Sequence, residues 1–107
     1  MGSQEDIKHF SADTFNKDIA RGVVLVDFYA DWCGPCRMMT PVLENVAKEV
    51  KGQAVIGKLD IDSAQNIASE YQVTSIPTLI LYKEGKEVGR LVGLRDAAAL
   101  KQFIQTA

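Results

Sequence analysis

Apolar residues along this 107-residue chain fall into runs of two periods, and each period predicts a different element. Val23 to Ala30 is almost continuously apolar and rich in β-branched and aromatic residues. That is the pattern of a central parallel strand buried on both faces. Gln53 to Ile61 reads as a second central strand, and Ile7 to Phe10 as a short one. From about Gly34 to Val50 the apolar positions Met39, Leu43, Val46, Ala47 and Val50 recur at helical spacing instead. Pro41 lies inside that helix and is expected to kink it. Ser11 offers an N-cap for a helix that carries Phe15 and Ile19 on one face and ends at Gly22. Asp62 or Ser63 is the candidate cap of a helix bearing Ile67, Ala68 and Tyr71, and Asp96 caps a last one bearing Leu100, Phe103 and Ile104. Thr78 to Tyr82 and Glu87 to Val92 predict strands joined by Lys83-Glu84-Gly85-Lys86, a hairpin signature. The order β-α-β-α-β-α-β-β-α predicts an α/β fold, a central mixed and mostly parallel sheet flanked by helices on both faces.

Composition narrows the class without changing the fold. With 47% hydrophobic and 24% charged residues, no repeat and no low-complexity tract, the chain is expected to be one soluble domain, residues 1–107. Residues 1–5 are expected to be either a disordered end or a leftover of expression. A domain of this size folds without a disulfide staple. The formal charge of -2, with acids and bases intermixed, leaves no electrostatic footprint for nucleic acid or an anionic membrane. No apolar run nears the ~20 residues that span a bilayer, since Asp27 interrupts Val23-Val24-Leu25-Val26 at once. The N-terminus MGSQEDIKHF lacks the apolar stretch and cleavage site of a secretory signal. It opens like a myristoylation site, but Asp6 stands where Ser or Thr is needed. A cytoplasmic location is the expectation, although a mature periplasmic form would look the same.

Both cysteines of the chain, Cys33 and Cys36, lie within Asp-Trp-Cys-Gly-Pro-Cys-Arg, residues 31–37. Three readings compete. A structural zinc site needs four ligands, and beyond these two thiols the chain holds one histidine, His9, far away in sequence; no metal is expected. A staple closed over two residues removes little entropy from the unfolded chain. Reversible redox chemistry remains, and the placement suits it. Cys33 follows the apolar strand and opens the helix, where free N–H groups and the positive end of the dipole favour a thiolate. The thiolate is the nucleophile, so Cys33 is the expected attacking residue. Cys36, one turn on and less exposed, is placed to resolve the mixed disulfide. Pro35 suits a first helical turn, and Gly34 lets a partner backbone approach.

Asp27 is the odd residue of its strand. Either it is buried with a raised pKa, serving as proton acceptor for Cys36, or it is a strand-end carboxylate turned to solvent. Lys58, on the next strand, is either its partner or an ordinary solvated lysine. Trp32 reads as core or as exposed surface. Pro77 reads as a trans proline opening its strand.

Val26 to Cys36, together with Ile76-Pro77-Thr78 and Val92-Gly93, resembles the thioredoxin family over essentially the whole chain. A bare C-x-x-C is a weak signal, whereas W-C-G-P-C followed some 40 residues later by I-P-T is specific. The resemblance implies a thioredoxin fold and a dithiol–disulfide oxidoreductase that reduces client proteins without a bound cofactor. It implies that Asp27 assists proton transfer, that Lys58 pairs with it, and that the Ile76-Pro77 bond is cis. It further implies that the Ile76 backbone bonds an extended client beside Cys33. Trp32, Gly34, Pro35, Ile76, Val92 and Gly93 then form a flat apolar landing surface around Pro77. Recycling by a thioredoxin reductase follows, as do clients of the ribonucleotide reductase, peroxiredoxin and methionine sulfoxide reductase type, for a protein that is itself a monomer. Tyr29, where the family often has Trp, Arg37, where Lys is common, and Ser75, where Gly is frequent, depart from its pattern. An oxidant or isomerase is the rival on the same fold, and Gly34-Pro35 argues against it, because oxidising relatives usually carry a histidine there. A binding subunit indifferent to its thiols is the rival from another class.

Overall fold

The computed structural model describes residues 6–107, so the expectation for residues 1–5 lies outside the described residues. The nine elements follow the anticipated order: β1 (Ile7–His9), α1 (Phe15–Asp18), β2 (Val23–Tyr29), α2 (Gly34–Glu49), β3 (Val55–Asp60), α3 (Gln65–Glu70), β4 (Thr78–Lys83), β5 (Lys86–Val92) and α4 (Ala97–Ile104). The strands form one sheet in the order β1-β3-β2-β4-β5. β2 therefore lies at the centre, parallel to β3 from Val24↔Val55 to Tyr29↔Asp60 and antiparallel to β4 from Val23↔Lys83 to Phe28↔Thr78.

The sheet is mixed and mostly parallel, as expected: β1, β3, β2 and β5 run in one direction, and β4 runs against them. Length explains why β4 is reversed. α3 has six residues and spans about 9 Å, too short to return the chain along a strand of about 20 Å. β4 therefore starts at the end of the sheet where β3 stopped and runs back antiparallel to β2. The hairpin to β5 turns on Glu84 and Gly85, both at positive φ, as a two-residue turn between right-twisted strands requires.

Alternation along β2 separates two cores. Val24, Val26 and Phe28 pack with Phe10, Phe15 and Ile19 and with Ile67 of α3 on one face. Leu25 packs with Met39, Leu43 and Val46 of α2 and with Leu100 and Ile104 of α4 on the other. Asp27 and Tyr29 share this second face with Leu25, because side chains two apart in a strand point the same way.

Three boundaries differ from the sequence reading. Ser11 does not cap α1: Thr14 holds the cap position, its hydroxyl donating to Asp18 Oδ2 at 2.8 Å, while Ser11 Oγ lies 3.1 Å from Thr14 Oγ1. Neither Asp62 nor Ser63 caps α3; Ala64 occupies that position, Ser63 bonds the Asp60 carbonyl, and Asp62 has another partner described below. Gln53 and Ala54 donate to the Val50 carbonyl as α2 unwinds, so β3 begins at Val55. Asp96 does cap α4, accepting from Ala99 N at 2.9 Å, and α2 continues through Pro41 without a break.

Candidate active site

Where β2 gives way to α2, the backbone leaves the sheet at Ala30 and the Cys33 amide bonds the Ala30 carbonyl at 3.1 Å. Cys33 takes the N-cap position with extended backbone, and its sulfur accepts the Cys36 amide hydrogen at 3.2 Å. A sulfur at this place faces the unsatisfied N–H groups of the first turn and the positive end of a 16-residue helix. Pro35, within that turn, withholds no needed donor. Cys33 and Cys36 are joined as a disulfide with Cα atoms 5.2 Å apart. Cys36 is the more deeply buried, at 1% against 6%. Both pack with Ala30 and with partly buried Tyr29, Ile61 and Ile76. A Cβ on Gly34 would meet nothing within 4 Å, so nothing inside the chain demands glycine there.

Trp32 is surface and not core, at 67% exposed, and its indole Nε1 donates to Asp62 Oδ2 at 2.9 Å. Asp62, taken from sequence as a helix cap, thus fixes the tryptophan beside the cysteines. The Ile76-Pro77 peptide is cis, and the Ile76 carbonyl oxygen lies 4.0 Å from Cys33 Sγ. The Pro77 carbonyl accepts the Gly93 amide at 2.8 Å, which ties the end of β5 to the same corner. Gly93 sits at φ +97°, open to glycine and strained for other residues. Val92 is exposed beside it, and Pro77 is buried. Ile76 thus packs on the cysteine cluster, and the Gly93–Pro77 bond brings the end of β5 to the Ile76-Pro77 turn.

Asp27 is wholly buried, and neither carboxylate oxygen has a hydrogen-bond partner among the described residues. It is not a strand-end aspartate in solvent. Loss of hydration pushes its pKa up to about 7, against a smaller lowering by the charge of Lys58. In the sheet it lies between Leu25, within the α2 core, and Tyr29, which packs on the cysteine cluster. Lys58 stands opposite Asp27 in register, but it is neither solvated freely nor bonded to the carboxylate. Its ammonium donates to Thr40 Oγ1 at 3.0 Å and lies 4.3 Å from the Tyr29 ring centroid. Sequence spacing shows none of this, because Thr40 and Lys58 meet only through the packing of α2 on β3. His9, on β1, lines a pocket of about 90 Å³ with Ile7, Thr40, Glu44 and Lys58, on the far side of Lys58 from β2. Among the described residues no cluster of three or more His, Cys, Asp or Glu could hold a metal, and no helix is long and apolar enough to cross a membrane.

Residues 6–106 match a family model described as Thioredoxin. The chain is 53% identical over 98 residues to a thioredoxin of Chlamydia pneumoniae, covering 92% of this chain and 95% of that protein. To a Staphylococcus aureus thioredoxin it is 45% identical over 98 residues, 92% of this chain and 93% of the other. It is also 53% identical over 77 residues, 72% of this chain, to a bifunctional thioredoxin reductase/thioredoxin of Mycobacterium leprae, of which it covers 17%.

Proposed function

The chain belongs to the thioredoxin family and is a thiol–disulfide oxidoreductase acting on protein disulfides, and from that premise we propose how its residues divide the work. Cys33 is the nucleophile. Its thiolate attacks one sulfur of a client disulfide, forming a Cys33–client disulfide and expelling the other client sulfur as a thiolate. Cys36 resolves. Its thiol passes a proton to the Asp27 carboxylate, and the resulting thiolate attacks Cys33 Sγ. The Cys33–Cys36 disulfide forms and the client leaves as a dithiol, two electrons richer. Lys58 supports Asp27 through its charge. Gly34 and Pro35 shape the turn, and Pro77 supports the Ile76 carbonyl, where an extended client backbone bonds. Trp32, Ile76, Val92 and Gly93 form the apolar landing surface.

The observation that carries this division is the Cys36 amide bonded to Cys33 Sγ at the helix start, with Cys36 itself nearly sealed from solvent. An exposed client can meet Cys33 first and Cys36 only afterwards. The experiment is a trap. Cys36→Ser accumulates a covalent adduct with a disulfide-containing protein, read on a non-reducing gel, while Cys33→Ser does not. Equal adducts from both variants would reverse or void the assignment.

The family works with a thioredoxin reductase and disulfide-bearing clients. We extend this to recycling of the Cys33–Cys36 disulfide by a separate reductase, a pairing that the bifunctional Mycobacterium leprae protein carries in one chain. Ribonucleotide reductase, peroxiredoxin and methionine sulfoxide reductase are the proposed client types. The proposed state is a cytoplasmic single-domain monomer that needs no bound cofactor, since both electrons reside in the dithiol.

A further inference from the structure

Asp27 and Lys58 face the same side of the sheet in register, and a direct ion pair is what two such neighbours would ordinarily make. The structure shows another arrangement. The ammonium is held from two sides, by Thr40 Oγ1 on the second turn of α2 and by the ring of Tyr29 at the end of β2. The carboxylate is left with no hydrogen bond among the described residues. We propose that Thr40 is a positioning residue for the redox reaction: it holds the Lys58 ammonium against Tyr29 and off Asp27, so that Asp27 remains a competent proton acceptor for Cys36.

The physical reason lies in what a base must do. A carboxylate in contact with an ammonium is held ionised well below neutral pH and has little affinity for a thiol proton. A buried carboxylate with the cation one step removed keeps enough field to be ionised part of the time, and keeps proton affinity near neutral pH. The direction found for Asp27, with desolvation outweighing Lys58, agrees with this geometry. The other titratable groups facing this site are Tyr29 on β2, Asp60 on β3 beyond Lys58, His9 on β1 opposite Lys58, and Cys36 and Glu44 on α2. β4 presents Leu79 and Leu81 to this face, and α4 presents Leu100 and Ile104. Glu44 and Lys58 line the same small pocket, which makes Glu44 the competing anion if the ammonium is released.

The inference rests on Asp27 being the proton acceptor, and the test separates the two. Thr40→Val keeps the shape of the side chain and removes its oxygen; Thr40→Ser retains the oxygen. In full-length protein, the Asp27 carboxyl is titrated by 13C NMR. The pH profile of the resolving step is followed by release of a coloured aryl thiol from its mixed disulfide with Cys33. The expected result for Thr40→Val is a downward shift of the carboxyl midpoint by about one unit or more, an acid shift of the rate profile by the same amount, and restoration of both by Thr40→Ser. An unmoved carboxyl midpoint overturns the proposal, including the case in which Lys58 turns to Glu44. A carboxyl that moves while the rate profile stays fixed overturns the role of Asp27 as acceptor and leaves the hold of Thr40 on it standing.

Discussion

Burying an ionised carboxylate strips its hydration, and in β2 nothing replaces that hydration for Asp27. Its native pKa of about 7 stands above the ordinary 3.8, so between those values the folded chain keeps a proton that the unfolded chain has released. The stabilisation is therefore complete below about pH 4 and is lost as pH rises through about 7. The loss amounts to roughly 4 kcal/mol at about 1.4 kcal/mol per pKa unit, an upper figure for a site that relaxes. Asp27→Asn is expected to unfold at higher urea than the parent at pH 8, with the difference shrinking toward zero near pH 4. The same variant resolves the mixed disulfide more slowly, on the order of 100-fold at neutral pH, with the gap closing at alkaline pH where Cys36 ionises unaided. Urea titrations at both pH values and stopped-flow resolution rates check the pair of effects. An Asn variant that is equally fast, or less stable at pH 8, contradicts this account.

Elements carry the site because their ends meet at one place. β2 delivers Ala30, α2 starts on Cys33, and the loops before β4 and after β5 bring Ile76 and Gly93 to the same corner. Close approach of strands holds the frame behind them. Gly57 in β3 lies under Phe10, and a Cβ there would fall on the Phe10 ring and 2.6 Å from the Lys8 carbonyl. Gly57→Ala should therefore cost about 1–3 kcal/mol of stability, seen in the urea midpoint. The potential of the Cys33–Cys36 couple should stay unchanged, since Gly57 and Phe10 lie on the opposite face of the sheet from Asp27 and α2. Element identities were legible because each rests on a period of a few residues: the apolar run of β2, the spacing of Met39, Leu43 and Val46, the cap Asp96. The caps at Ser11 and at Asp62 or Ser63 were misread because several polar residues stand side by side before α1 and α3. Only their distant partners decide among them. Asp62 goes to Trp32, 30 residues away.

At the scale of the whole molecule, Trp32 and Val92 are exposed near Cys33, while most buried apolar residues divide between two cores, one on each face of the sheet. Val92→Glu, half exposed at the end of β5, should leave stability within about 0.5 kcal/mol. It should raise KM for a protein disulfide at least fivefold, about 1 kcal/mol, with kcat little changed. An unchanged KM would remove Val92 from the client surface. The cysteine pair and Asp27 stood out in the sequence as local oddities, paired thiols and a charge in an apolar strand, whereas the cis Ile76-Pro77 bond beside them followed only from the family resemblance, since the residues alone read as trans. Thr40 could not be read from sequence, since its link to Lys58 spans 18 residues and depends on how α2 settles on the sheet. The reversal of β4 is set in the same way, by the length of α3 and not by any pattern within the strand. The central place of β2, hydrogen-bonded along both edges, has a consequence for how the molecule fails. Amides of such a strand exchange with solvent only in the fullest opening of the fold, while peripheral pieces such as β1 and the four-residue α1 fray first. The cysteines follow directly on that strand, so hydrogen exchange along β2 is expected to report the opening that also dismantles their setting.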